Sequence, residues 1–156
     1  MKQLFAAMAV LFMAGPAAAD DFRGGVVTCL STMQTDEEWA ACRATMFSRC
    51  PTETVGSPEH VACLTEESKG WEEYLDVRND ALVGKLASAA QVELANLRGQ
   101  WRGYVANKCS AVAASNPDVG EAAQLGCQIS EIAGFAAELA YCEAGFSKEP
   151  YCVLKE

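Results

Sequence analysis

The stretch WRGYVANKC, residues 101–109, places two large aromatics and a cysteine at helical spacing in an acidic chain. Trp101, Val105 and Cys109 recur every four residues, so they share one face of a helix. Tyr104, three residues past Trp101, is read onto the same inward face. Toward the N-terminus the stripe continues through Leu97 and Leu94, and toward the C-terminus it reaches Val112. The run SNPD, residues 115–118, then stops the helix and opens a turn.

The same periodicity organises the rest of the chain. Ser57 as cap and Pro58 at the first position start a long helix. Its stripe is Val61, Leu64, Ser68, Trp71, Leu75, Arg78, Leu82 and Leu86. Gly70 and Gly84 each weaken it by about 1 kcal/mol relative to alanine. A break is expected within residues 84–90, where small side chains offer little packing. A last helix is expected from about residue 119 to residue 142, with Leu125, Ile129, Ile132, Ala136 and Leu139 inward. The tail beyond it reads as irregular and pinned through Cys152. An earlier helix begins at the capping box Thr35-Asp36-Glu37-Glu38, with Trp39, Cys42, Met46 and Cys50 on one face. No alternating strand pattern, repeat or linker interrupts this order. The expected fold is all-α: a single small antiparallel helical bundle stapled by disulfides.

The first 19 residues read as an export signal and leave the fold. Lys2 supplies the positive start, residues 4–15 an apolar run, and Ala17, Ala18 and Ala19 the small-residue cleavage pattern. The run falls short of the roughly 20 residues that span a bilayer. A bacterial periplasmic or secreted location follows, with no stable membrane insertion after cleavage. Residues 20–156 form the expected domain, an N-terminal cysteine-containing extension included.

All eight cysteines lie beyond the signal: Cys29, Cys42, Cys50, Cys63, Cys109, Cys127, Cys142 and Cys152. An even number in an exported chain of this size reads as a disulfide framework whose pairing spacing alone does not decide. With no C-x-x-C and a single histidine, His60, neither a metal site nor a redox motif is supported. A cysteine or serine nucleophile would need a histidine beside it, and an oxidised Cys63 next to His60 supplies no thiolate. The acids Glu66, Glu67, Glu72, Glu73, Asp76 and Asp80 line one helix as a solvated face, not as two groups opposed across a sugar. Phosphate loops and dinucleotide fingerprints are missing. No catalytic residue, cofactor or metal is therefore expected. Trp39, Trp71 and Trp101 all coincide with inward stripes, so burial accounts for them; a sugar-binding platform would require exposed tryptophans. The formal charge of −9 disfavours nucleic acid and favours a basic partner.

Residues 50–139 resemble the bacterial family of lysozyme-inhibitor LprI-like N-terminal domains. The resemblance is carried by Cys50 and Cys63, Trp71-Glu72 with Leu75, Leu94, the W-x2-Y-x4-C run of Trp101, Tyr104 and Cys109, then Cys127 and Leu139. Departures fall at Asp76, Asn79, Arg98, Val105, Ala106 and near Gly134, mostly polar positions of the family. The resemblance implies a small exported helical domain with bridges Cys109–Cys127 and Cys50–Cys63, associated in some members with inhibition of lysozyme. Pairing among Cys29, Cys42, Cys142 and Cys152 is left open. It makes Trp71, Leu75, Leu94, Trp101, Tyr104 and Leu139 scaffold residues, alongside Trp39.

The expected function is therefore an exported, non-enzymatic binding protein that inhibits a basic partner such as a lysozyme. An envelope adaptor that binds another exported protein is the alternative. Binding is expected in two bridged loops: residues 51–62 with Glu53, Glu59 and His60, and residues 110–126 with Asn116, Asp118 and Glu121. A pre-closed loop loses less entropy on binding.

Overall fold

The computed structural model describes residues 53–155, together with Cys50 and the helical, exposed residues Glu37, Glu38 and Ala41. The expected signal segment, and Cys29, Cys42 and Trp39 with the roles expected of them, lie outside the described residues. Within the described part, three helices form an all-α bundle: α1, Pro58–Val83; α2, Ser88–Ser115; and α3, Gly120–Glu143. Short 3-10 turns lie at Pro117–Val119 and Pro150–Cys152.

Each boundary has a local cause. Ser57 holds an extended backbone (φ −65°, ψ 157°), and its Oγ accepts from the His60 amide at 3.2 Å; Pro58 follows. At the far end of α1, the Gln91 amide donates to the Val83 and Leu86 carbonyls, both at 3.0 Å. That one side chain closes the tight turn into α2, where the sequence had shown only a weak run of small residues. Asn116 ends α2 by donating from Nδ2 to the Val112 carbonyl at 2.8 Å, and Pro117 prevents continuation. At the end of α3, Gly145 takes φ 76°. Its amide donates to Cys142 and the Phe146 amide to Tyr141, both at 3.0 Å, the paired bonds of a Schellman cap.

The connections set helix direction. Only residues 84–87 separate α1 from α2, so the chain doubles back and the two helices run antiparallel, with Asp76 of α1 bonded to Arg98 and Arg102 of α2. Between α2 and α3, Trp101 stacks on Phe135 (centroids 4.6 Å apart, planes at 23°), Lys108 meets Glu131 at 2.7 Å, and Cys109 is bridged to Cys127. Helix α3 is thus antiparallel to α2 and parallel to α1, which it meets through Arg78 and Glu143 at 3.0 Å. Burial raises the hydroxyl pKa of Tyr74, whose oxygen accepts from Arg78 Nε at 2.9 Å.

Helix α3 packs against both neighbours. Ile129, Ile132, Phe135, Ala136 and Leu139 meet Trp71, Leu75, Leu82, Leu86 and Leu94 in one core. Small residues Ala133 and Ala136, both fully buried, let α1 and α2 approach the same segment of backbone. The tail closes the bundle's lower end. Cys142 is bridged to Cys152, the Ala87 amide donates to Val153, and the Lys155 amide donates to Lys85, both at 2.8 Å. The six cysteines among the described residues pair as Cys50–Cys63, Cys109–Cys127 and Cys142–Cys152, and none of them is free.

Most of the expected core is in place: Trp71, Leu75, Leu94 and Leu139 are at most 2 % exposed. Two aromatics differ. Trp101 is half-buried, and Tyr104 is 55 % exposed. Over the second half of α2 the buried face is defined by Val105 and Cys109, and Tyr104 lies about 100° from Val105 on a helix of 3.6 residues per turn. Its ring instead receives the Lys108 ammonium at 5.5 Å.

These burial differences translate into unequal stability effects. Trp71→Ala should cost about 3–5 kcal/mol, the scale of deleting a fully buried aromatic. Tyr104→Ala should cost within about 0.5 kcal/mol, as at other surface positions. Urea denaturation with an unchanged denaturant slope checks both; equal losses would contradict the assigned inward face.

Candidate binding site

Because α1 and α3 run in the same direction, the loop before α1 and the loop before α3 fall at the same end of the bundle. Cys50–Cys63, with Cα atoms 5.7 Å apart, closes the first loop onto α1. Cys109–Cys127, with Cα atoms 5.5 Å apart, closes the second across the ends of α2 and α3. The two loops touch. Gly56 adopts φ 84°, and a Cβ there would stand 2.8 Å from Val119 Cγ1. Only glycine satisfies both the left-handed backbone and this approach without displacement.

Glu53 is exposed on the first loop and Glu59 in the first turn of α1, while Asn116 and Asp118 are exposed on the second loop and Glu121 just beyond it. Asn116 also serves as the α2 cap. Glu121 stands in the first turn of α3, where a carboxylate is favoured by the aligned peptide dipoles. His60 is the exception. It is buried, and its Nδ1 accepts from the Gly56 amide at 3.1 Å, so it shapes the loop from inside. A residue in the first turn of a capped helix, facing back under its own loop, has that acceptor position available; the sequence offered no sign of which way the ring turned.

Glu67 corrects the reading of the α1 acids as uniformly solvated. Glu66, Glu72, Glu73, Asp76 and Asp80 are exposed, but Glu67 is 8 % exposed with Oε2 3.5 Å from Cys50 Sγ. That sulfur belongs to a disulfide and has no proton to donate, so the approach is a packing contact beneath the first bridge. Helical geometry explains it: Glu67 lies four residues before the buried Trp71 and three after Leu64.

A surface furrow of about 330 Å³ runs between α1 and α2, with Gln128 and Ile132 of α3 on its floor. Trp101 lines it, but the face of its indole is occupied by Phe135. Among the described residues there is no group of three or more His, Cys, Asp or Glu placed to hold a metal ion. No described helix is long and apolar enough to cross a membrane.

Compared with models of known families, with curated proteins and with solved structures, the chain matches none of them. The loop end therefore rests on its own geometry. What it can do chemically is present exposed carboxylates from two disulfide-closed loops and the helix starts that follow them.

The Gly56–Val119 contact can be measured directly. Gly56→Ala should cost about 1–3 kcal/mol, combining a left-handed non-glycine residue with the clash. Placing it in a Val119→Ala background should return part of that loss while the backbone strain remains. A strictly additive double-mutant cycle would contradict the contact.

Proposed function

We propose that the protein is an exported, non-enzymatic binding protein that inhibits a basic, lysozyme-type muramidase through its bridged loop end. The observation that carries this reading is the meeting of the two loops at Gly56 and Val119, each loop closed by its own disulfide. Loops held in this way bind without first paying a large ordering cost. Three bridges fit a chain that matures in an oxidising compartment, the bacterial periplasm or the medium. The N-terminal sequence, read as a cleaved export signal, supports the same location.

Charge supplies the approach and the loops supply the block. A basic enzyme would be steered toward this acidic chain, raising the association rate by about 10–10³-fold at low salt. Glu53, Glu59, Asp118 and Glu121 are then the groups that meet the target's cationic cleft. Steering alone leaves the cleft open, so inhibition needs the loop tips to enter it.

An envelope adaptor remains the second reading. It is favoured by a cleft of about 410 Å³ lined by Tyr141, Phe146 and Tyr151 at the opposite end of the bundle, which a cleft-filling inhibitor would leave unused.

The test is a peptidoglycan-lysis assay against several purified lysozyme types. Inhibition should be strongest at low salt, and the charge reversals Glu53→Lys and Asp118→Lys should weaken it about tenfold or more together. Lysis that continues undiminished at micromolar protein, at both low and physiological salt, would remove the inhibitor reading.

A further inference from the structure

The end of the bundle opposite the loops carries a second concave feature. The Schellman cap at Gly145 turns the chain back and leaves Phe146 63 % exposed beside Tyr141. The Ser147 amide also donates to the Tyr141 carbonyl, at 3.3 Å, and the Glu149 amide to Ser147 Oγ, at 3.4 Å. Cys142–Cys152 then closes the loop, and Cys152 is buried. The result is a cleft of about 410 Å³ with Tyr141, Phe146 and Tyr151 as walls and Glu138 and Glu149 at its edges.

Its chemistry is lopsided. Glu138 comes from α3 and Glu149 from the loop, and Lys148, although on the same loop, is not among the lining groups. Burial first, and then the charge of Glu149, raise the Glu138 carboxyl above its ordinary range, while a hydrogen bond with Tyr151 partly opposes this. The Tyr151 hydroxyl is raised as well, by burial and then by Glu138 and Glu149. Two carboxylates therefore repel each other beside three aromatic rings, and the tail disulfide holds them there.

We infer that this cleft binds the side chain of an arginine presented by a partner protein. A guanidinium between Glu138 and Glu149 replaces repulsion with two charge-assisted contacts. Its planar face can lie on Phe146 or a tyrosine ring, an arrangement that arginine makes better than lysine. The exposed Phe146 then gains a covered face, which accounts for an aromatic side chain left in water on a rigid turn. This site is independent of the loop end and of the inhibitor reading.

The probe is the blocked peptide acetyl-Gly-Arg-Gly-amide, followed by NMR on the intact, oxidised protein. Saturable shifts should be confined to residues 138–151, with a dissociation constant of about 1–10 mM, the scale of a single side-chain contact. The measured Glu138 pKa should fall as peptide binds, because a nearby cation favours the carboxylate. Glu138→Gln combined with Glu149→Gln should weaken binding about tenfold or more, and Phe146→Ala several-fold.

These variants keep the fold within reach. Glutamine retains an acceptor for Tyr151. A carboxyl whose folded-state pKa is raised weighs against the native state when ionised, and that penalty fades as pH falls through the raised value. At neutral pH Glu138→Gln should therefore be no less stable than the parent. Equal binding by the double variant, equal binding of the citrulline peptide, shifts centred on residues 53–60 or 116–121, or no saturable shift at all would each overturn the assignment.

Discussion

Helix α3 has apolar side chains on more than one face, and the bundle is the arrangement that removes those faces from water together. Ile129, Ile132, Phe135, Ala136 and Leu139 cannot be covered by a single neighbour. Helix α1 contributes Trp71, Leu75 and Leu82, and α2 contributes Leu94 together with the half-buried Trp101. The alanines at the centre of α3 make this double packing possible, because only small side chains let two helices approach one stretch of backbone. Burial of large apolar side chains stabilises by roughly 1.5–3 kcal/mol each relative to exposure, so this shared core outweighs the surface ion pairs. Those pairs, Asp76 with Arg98 and Lys108 with Glu131, tie neighbouring helices at the surface.

From that constraint the placement of everything else follows. Two short connections make α1 and α3 parallel, which brings the starts of both helices, and hence both bridged loops, to one end. The same parallelism brings the end of α3 and the tail to the other end, beside the turn between α1 and α2. The Leu86–Leu154 bridge and the amide bonds from Ala87 and Lys155 seal that turn with the tail. Each end is thus organised by a disulfide near a helix terminus, where fraying would otherwise be easiest. The two candidate binding surfaces lie at opposite ends of the bundle.

Much of the scaffold was legible in the sequence because helical period and stop signals are local. Ser57-Pro58, Asn116-Pro117 and the weak run after Gly84 mark the boundaries seen, and the inward stripes name most of the buried residues. What escaped depended on neighbours. Tyr104 shares its spacing with Trp101 but lies on the wrong side of Val105 and Cys109, a distinction that period alone cannot draw. Phe135 lies at helical spacing from Ile132 and Leu139, at the edge of the aliphatic stripe, and its role appears only once Trp101 lies across it. His60 and Glu67 are polar residues turned inward by a loop and a bridge that fold over them. The pairing Cys142–Cys152 was equally invisible, since it depends on the left-handed turn at Gly145.

The central claim is that α3 is the shared element on which both outer helices depend. Native-state hydrogen exchange, resolved by residue, tests it most directly. The account predicts that amides at Ile129, Ile132, Ala133 and Ala136 exchange last, at the rate of global unfolding, with those of α1 and α2 opening no later. Exchange in the middle of α3 while α1 and α2 remain protected would contradict it.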